Sequence, residues 1–219
     1  MKILIGVVSC HSYQYAADDS VGHKTGSDPV RASASRKTWV KNFPHGRLDL
    51  KFFYGRGGDR QPAVDEVFLD APDGYYELPA KVKAMFRWAL DAGYDYCLKI
   101  DDDVLLRPTN LLKFFQPVDY CGYELEAAIG KYASGAAYVI SRRAMQLVVD
   151  TPWDDTFNRA EDQWTGEVLK RNGIHLLHDH RYLCCHCDSC FKKFGLDNLI
   201  TIHTRSPQQM YDLHAKLGQ

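Results

Sequence analysis

The sequence predicts an α/β protein built on one mainly parallel central sheet flanked by helices. Three observations carry this. Apolar, strand-like runs alternate with helix-period segments over the first hundred residues, the order that right-handed βαβ crossovers produce. The runs are rich in branched and aromatic residues, as strands inside a sheet are. Finally, Asp101-Asp102-Asp103 follows directly on Tyr94-Asp95-Tyr96-Cys97-Leu98-Lys99-Ile100. Open α/β sheets keep their ligand crevice at such a carboxyl end.

In chain order, the apolar opening at residues 1–8 reads as a first buried strand. Asp28 and Pro29 read as cap and first position of a helix leading into 30–40. Strand character returns at 48–54 and ends at the breaker Gly55-Arg56-Gly57-Gly58, with a short strand at 66–69. From Glu77, the apolar residues Leu78, Val82, Met85, Phe86, Ala89 and Leu90 recur at helical spacing until Gly93 stops them. The acidic strand follows. Beyond it we read helices over 109–115, 142–149 and 160–171, and strands near 118–123 and 136–140. The polar segment 13–25 and the cysteine-rich stretch near 187 read as the flexible pieces.

Composition narrows the class. At 219 residues, 45% hydrophobic and 25% charged, the chain supports one domain, 1–219. Twenty-seven basic against 28 acidic residues leave a net charge of −1, which recommends neither nucleic acid nor an anionic membrane as partner. The apolar opening is too short to span a bilayer and lacks a cleavage pattern. Seven cysteines, an odd count, then point to a reducing compartment. A soluble cytoplasmic protein is the expectation; removal of an N-terminal anchor would undo it.

Three adjacent anions need a cation or an exposed turn. On an extended backbone Asp101 and Asp103 face one side and Asp102 the other. That spacing offers two hard oxygen ligands suited to Mn²⁺ or Mg²⁺, with positions left for diphosphate oxygens. An acidic turn or a helix cap explains the same triplet.

Several ordered segments decide between these. Arg36-Lys37-Thr38-Trp39 is similar to an Arg-x-Thr-Trp element, and the helix beginning at Tyr75 to a Tyr-x-x-Leu-x-x-Lys helix with Lys81 at the lysine. Lys99-Ile100-Asp101-Asp102-Asp103-Val104 is close to Lys-Thr-Asp-Asp-Asp-Val. Tyr132-Ala133-Ser134-Gly135-Ala136-Ala137-Tyr138-Val139-Ile140-Ser141 is similar to Tyr-x-Ser-Gly-x-x-Tyr-Val-Leu-Ser, and Glu161-Asp162-Gln163-Trp164-Thr165-Gly166 to Glu-Asp-Val-x-x-Gly. His203, Pro207 and Met210 fit a closing His-x-x-x-Pro-x-x-Met. Together the segments resemble the β-1,3-galactosyltransferase-like family of inverting glycosyltransferases.

The resemblance implies a GT-A fold with a smaller acceptor-side extension. Residues 1–103 would form the nucleotide-sugar-binding half and 104–219 the acceptor-binding and catalytic half. It implies a UDP-sugar donor, a glycan acceptor, and Mn²⁺ or Mg²⁺ held by Asp101, Asp103 and His203. Asp162 would be the base, transferring a hexose or N-acetylhexosamine with inversion to a β-linkage. Arg36, Trp39, Lys81, Asp101, Asp102 and Gly135 would contact the donor. Gln163 and Trp164 depart from the family pattern, which bears on the acceptor pocket.

Local readings stand beside these roles. Asn158-Arg159-Ala160-Glu161 fits a capping box, making Glu161 a cap. Arg36 and Trp39 could close the first helix on the sheet, Lys81 could be a solvated lysine, and Gly135 a loop glycine. Ser206 and Pro207 read as cap and first position of a last helix. A second concentration of ligands, His175, His178, His180, Cys184, Cys185, His186, Cys187 and Cys190, would suit a structural Zn²⁺ stapling an irregular loop, or free thiols or disulfides. Two other functions remain open: metal-dependent nucleotidyl or phosphoryl transfer, which also clamps phosphates with paired aspartates, and a catalytically silent nucleotide-sugar or glycan-binding module.

Overall fold

The computed structural model describes residues 1–11, 29–57, 60–74, 77–153, 160–185 and 188–218. Segment 13–25, Asp28, Tyr75, Asn158, His186 and Cys187, all singled out above, lie outside the described residues.

The chain runs β1 (Ile3–Val8), α1 (Pro29–Lys37), β2 (Asp49–Tyr54), β3 (Glu66–Phe68), α2 (Leu78–Asp91), β4 (Tyr96–Asp101), β5 (Val104–Leu106) and α3 (Pro108–Phe114). It continues with β6 (Tyr120–Ala127), β7 (Gly130–Ser141), α4 (Arg142–Asp150), α5 (Glu161–Arg171), β8 (Leu177–His178), β9 (Tyr182–Leu183), α6 (Asp188–Phe194), β10 (Thr201–His203) and α7 (Pro207–Lys216). A seven-stranded sheet has the order β3-β2-β1-β4-β7-β6-β8, and a small sheet the order β5-β10-β9. Strands β1 to β4 are mutually parallel; β7 enters antiparallel between β4 and β6.

The expected α/β sheet is therefore present, with helices on both faces. Alternation along β1 shows why. Ile3, Ile5 and Val7 enter one core with α1, Leu111 and the small sheet, while Leu4 and Val8 enter the other with α2, α4 and α5. Among the described residues no helix is long and apolar enough to cross a membrane.

Most departures concern the second half. Strands 118–123 and 136–140 are longer than read, forming the β6–β7 hairpin turned at Gly130, where φ is 99°. The first helix stops at Lys37 rather than residue 40. The cysteine-rich stretch, read as irregular, carries β9 and α6. The last helix begins as expected, with Ser206 Oγ accepting from the Gln209 N–H at 3.2 Å.

Helix α5 reaches β7 through Gly166. A Cβ there would lie 2.6 Å from Tyr132 Cβ, so only glycine allows this approach. Gly166→Ala is expected to destabilise the fold by about 1–3 kcal/mol through overpacking, read as a lower urea midpoint with unchanged slope.

Candidate active site

Strand order reverses between β1 and β4: the connection from β1 proceeds to β2 on one side, and β4 lies on the other. Such a reversal opens a crevice at the carboxyl ends of the strands. Ser9, following β1, and the aspartate triplet, ending β4, stand there.

Strand β4 ends at Asp101, and the turn to β5 that carries Asp102 and Asp103 separates the triplet. Asp102 is 1% exposed and points inward, where Ser9 Oγ donates to its Oδ2 at 2.7 Å and Ser35 Oγ donates to its carbonyl at 3.2 Å. Expected among the donor contacts, it instead braces β1 and α1 against β4. Asp103 faces the crevice. Arg31 Nη1 lies 2.9 Å and His203 Nε2 3.4 Å from its Oδ2.

His203 arrives by long-range pairing. Antiparallel β10 sets it opposite Val104, and the Thr204 N–H and hydroxyl donate to the Asp103 carbonyl at 2.9 and 2.6 Å. His203 Nδ1 lies 3.1 Å from the Cys184 carbonyl. Because that oxygen only accepts, Nδ1 carries the proton, and Nε2 is the atom left to face Asp103.

Burial alone would lower the imidazole, but the hydrogen bond and charge of Asp103 outweigh it and raise His203 to about 9. Burial would raise Asp103; His203 and Arg31 reverse that and lower it. Asp101 is raised, first by burial and then by the Asp103 charge, against the opposing pull of Lys99 and His203. The two carboxylates thus feel each other across one small space.

This donor set fits a divalent cation. Two carboxylates and an imidazole suit Mn²⁺ or Mg²⁺, and Asp103 Oδ1 is buried with no hydrogen-bond partner. Among the described residues no group of three His, Cys, Asp or Glu side chains already forms a metal site. Holding an ion would therefore require these side chains to rearrange from the positions seen.

A second group of charges lies behind the crevice. Lys99, 0% exposed, points from β4 toward α5, with Nζ 2.7 Å from Asp101 Oδ1, 3.7 Å from Glu161 Oε2, and donating to the Gly135 carbonyl. Its ammonium is raised: burial opposes this, and Asp101 and Glu161 outweigh burial. Glu161 does not cap α5, whose N-cap is Ala160. Its buried Oε1 instead accepts from the Tyr138 hydroxyl at 2.6 Å and the Thr165 hydroxyl at 2.9 Å.

Asp162 opens onto the same region. Its Oδ2 accepts from the Gly135 N–H at 2.8 Å and its Oδ1 from the Gln163 N–H at 2.9 Å. Gly135 lies in β7 rather than a loop, and a Cβ there would meet Asp162 Oδ2 at 3.1 Å. Asp162 thus bonds Gly135 directly, while Asp101 is linked to the same glycine only through Lys99.

The remaining candidates are placed as follows. Lys81 is 2% exposed; its three N–H bonds reach the Ser9 carbonyl at 2.9 Å, the Asp73 carbonyl at 3.1 Å and Asp73 Oδ1 at 2.8 Å. A diphosphate contact would require it to give up one of them. Arg36 closes α1 on the sheet, bonding Asp65 and Glu66 at 2.9 Å each with its guanidinium 4.0 Å over the Phe52 ring. Trp39 is a core residue against Phe43. In the Cys/His stretch, His178 Nδ1 accepts from the Glu124 N–H at 3.0 Å and His180 stacks on Phe194.

Reading the sequence assigned no task to Lys99, Arg31 or Ser9, and gave Glu161 only the role of a cap. Lys99 carried a usable signal, since a lysine within a buried strand demands a partner. Arg31 carried none.

Comparison with known proteins places these residues in context. The galactosyltransferase family model matches residues 31–120. Mouse β-1,3-galactosyltransferase 1 is 22% identical, the alignment covering 81% of this chain and 67% of that protein. Human N-acetyllactosaminide β-1,3-N-acetylglucosaminyltransferase 4 is 24% identical over 84% of this chain and 61% of its own length. A solved structure from Desulfovibrio desulfuricans, assigned as a nucleotide-diphospho-sugar transferase, superposes with a TM-score of 0.54 at 13% identity, covering 99% of each chain.

Proposed function

We propose that this chain, which has a GT-A-like fold and resembles the β-1,3-galactosyltransferases, is a glycosyltransferase that transfers a hexose or N-acetylhexosamine from a UDP-sugar to a glycan hydroxyl. The reaction inverts the anomeric centre to a β-linkage and requires Mn²⁺ or Mg²⁺. One observation carries this reading: Asp162 and Asp101 are tied to opposite sides of the same residue, Gly135, directly and through Lys99. A proton acceptor thus borders the acidic cation pocket.

Residues 1–103 supply the nucleotide side and 104–219 the acceptor side. At the carboxyl ends of β1 to β3, His11 stacks on Tyr54 at 5.0 Å with Phe68 edge-on at 4.8 Å, an aromatic floor consistent with a nucleobase. Asp101, Asp103 and His203 Nε2 would hold the cation, and Arg31 adds positive charge beside them. When bound, the ion would neutralise negative charge on the departing diphosphate.

Asp162 does the proton chemistry. Each of its oxygens accepts one backbone N–H, which fixes the carboxylate plane and leaves lone pairs directed outward. As the acceptor oxygen attacks the anomeric carbon opposite UDP, its proton passes to Asp162. The new C–O bond forms as the bond to UDP breaks.

Thermal unfolding with UDP-Glc, UDP-Gal, UDP-GlcNAc, UDP-GalNAc and UDP-Xyl tests the donor assignment. One of them, with Mn²⁺ at 100 times its dissociation constant, is expected to add about 2.7 kcal/mol, a gain abolished by EDTA. Release of UDP on adding an acceptor supports transfer. Release of the sugar 1-phosphate, with the uridylyl group transferred, would overturn it in favour of nucleotidyl transfer, and binding without turnover in favour of a silent module.

A further inference from the structure

Lys99 has more to do than balance charge. A buried ammonium needs one carboxylate, and Glu161 alone would suffice. Yet Glu161 Oε2 is 3.7 Å away, beyond hydrogen-bond reach, and that oxygen has no hydrogen-bond partner. The directed bonds of Lys99 go elsewhere: to Asp101 Oδ1 at 2.7 Å and to the Gly135 carbonyl. Gly135 then passes the constraint on, its N–H donating to Asp162 at 2.8 Å. A Cβ at Gly135 would meet Asp162 Oδ2 at 3.1 Å, so β7 lies close against the aspartate with little slack.

We propose that Lys99 is a positioning residue for glycosyl transfer, setting the separation between the donor-side carboxylate Asp101 and the acceptor-side base Asp162 through Gly135. The proposal rests on the function given above. Glu161, held by Tyr138 and Thr165, supplies the long-range countercharge that lets the ammonium remain buried at the joint. The separation matters because attack is sensitive to misplacement: about 1 Å of drift costs on the order of 100-fold in rate. Lys99 touches neither sugar nor nucleotide in this scheme and acts only by where it holds two other side chains.

Lys99→Met alone strands Glu161 without its cation and is expected to unfold the protein readily. The informative variant is the double substitution Lys99→Met with Glu161→Gln, which removes both charges at nearly constant volume. Its melting temperature is expected to return close to that of the unaltered protein, while kcat stays about 100-fold low and acceptor KM changes less than about threefold. The Gly135 amide proton, followed by ¹H–¹⁵N spectroscopy, is expected to move upfield as its bond to Asp162 loosens. A double variant that regains both stability and kcat within about threefold of the original would make Lys99 a countercharge only and overturn the proposal.

The spectroscopic arm separates this proposal from the function it rests on. If the unaltered protein releases no UDP from any donor, the functional reading fails and the Gly135 resonance decides the linkage by itself. Should the double variant not fold, Asp101→Ala, at a side chain one third exposed, tests the same path. The Gly135 amide shifts if Lys99 conveys the change, and an unmoved resonance overturns the proposal.

Discussion

Asp162→Asn is expected to lower kcat by about 100- to 10,000-fold while leaving metal-dependent binding of the UDP-sugar unchanged. The substitution keeps shape and removes basicity. Asparagine can still accept the Gly135 N–H through its amide oxygen, but its NH₂ cannot accept from Gln163, so one of two anchoring bonds goes. Nothing remains to take the acceptor proton. Donor binding is proposed to involve the other carboxylates and should persist, so protection against unfolding by UDP-sugar and Mn²⁺ is the control measured alongside. Equal loss of both would move Asp162 from proton transfer to donor binding, contrary to the role assigned here.

The same contrast shows what local sequence could and could not reveal. That Asp102 turns inward, away from its neighbours, agrees with the local reading of the triplet, although the backbone at 102–103 is a turn and not the extended chain that reading used. Capping of α7 by Ser206 was equally local. What surrounds Asp103 was not. His203 reaches it only because β10 pairs with β5 across a hundred residues, and neither three-residue strand leaves a periodic trace. The contact of the Cys184 carbonyl with His203 escaped for the same reason: β9, the two-residue strand just before it, is defined by its pairing with β10 and not by its own pattern.

Charge told a parallel story. Glu161 looked like a cap because a helix start favours acidic residues, and the dipole argument is blind to depth. Once α5 lies on β7 at Gly166, that first turn is inside the molecule, and the carboxylate serves Tyr138, Thr165 and Lys99. For Lys81 it is the solvated reading that fails, in the other sense. Helical spacing alone could not show that its face of α2 lies over Ser9 and Asp73, where the ammonium joins β1 to the turn ahead of its own helix. Both residues mark where tertiary packing outweighed a local preference.

Asp103→Asn should act in the opposite way to the substitution at Asp162. Removing this charge takes away one of two carboxylate ligands and leaves Arg31 and His203 facing each other without the anion between them. The metal-dependent gain of about 2.7 kcal/mol from saturating donor is expected to fall below about 1 kcal/mol. With the cation gone from the leaving group, kcat/KM should drop about 1,000-fold, a loss of about 4 kcal/mol in transition-state stabilisation. Folding without ligand should suffer less, because the Thr204 bonds hold the Asp103 carbonyl and not its side chain. Calorimetric titration with Mn²⁺ and UDP separates the two effects. Full affinity in the variant would remove Asp103 from the cation site and leave Asp101 and His203 to hold it without the residue whose buried, unpartnered oxygen most invites an ion.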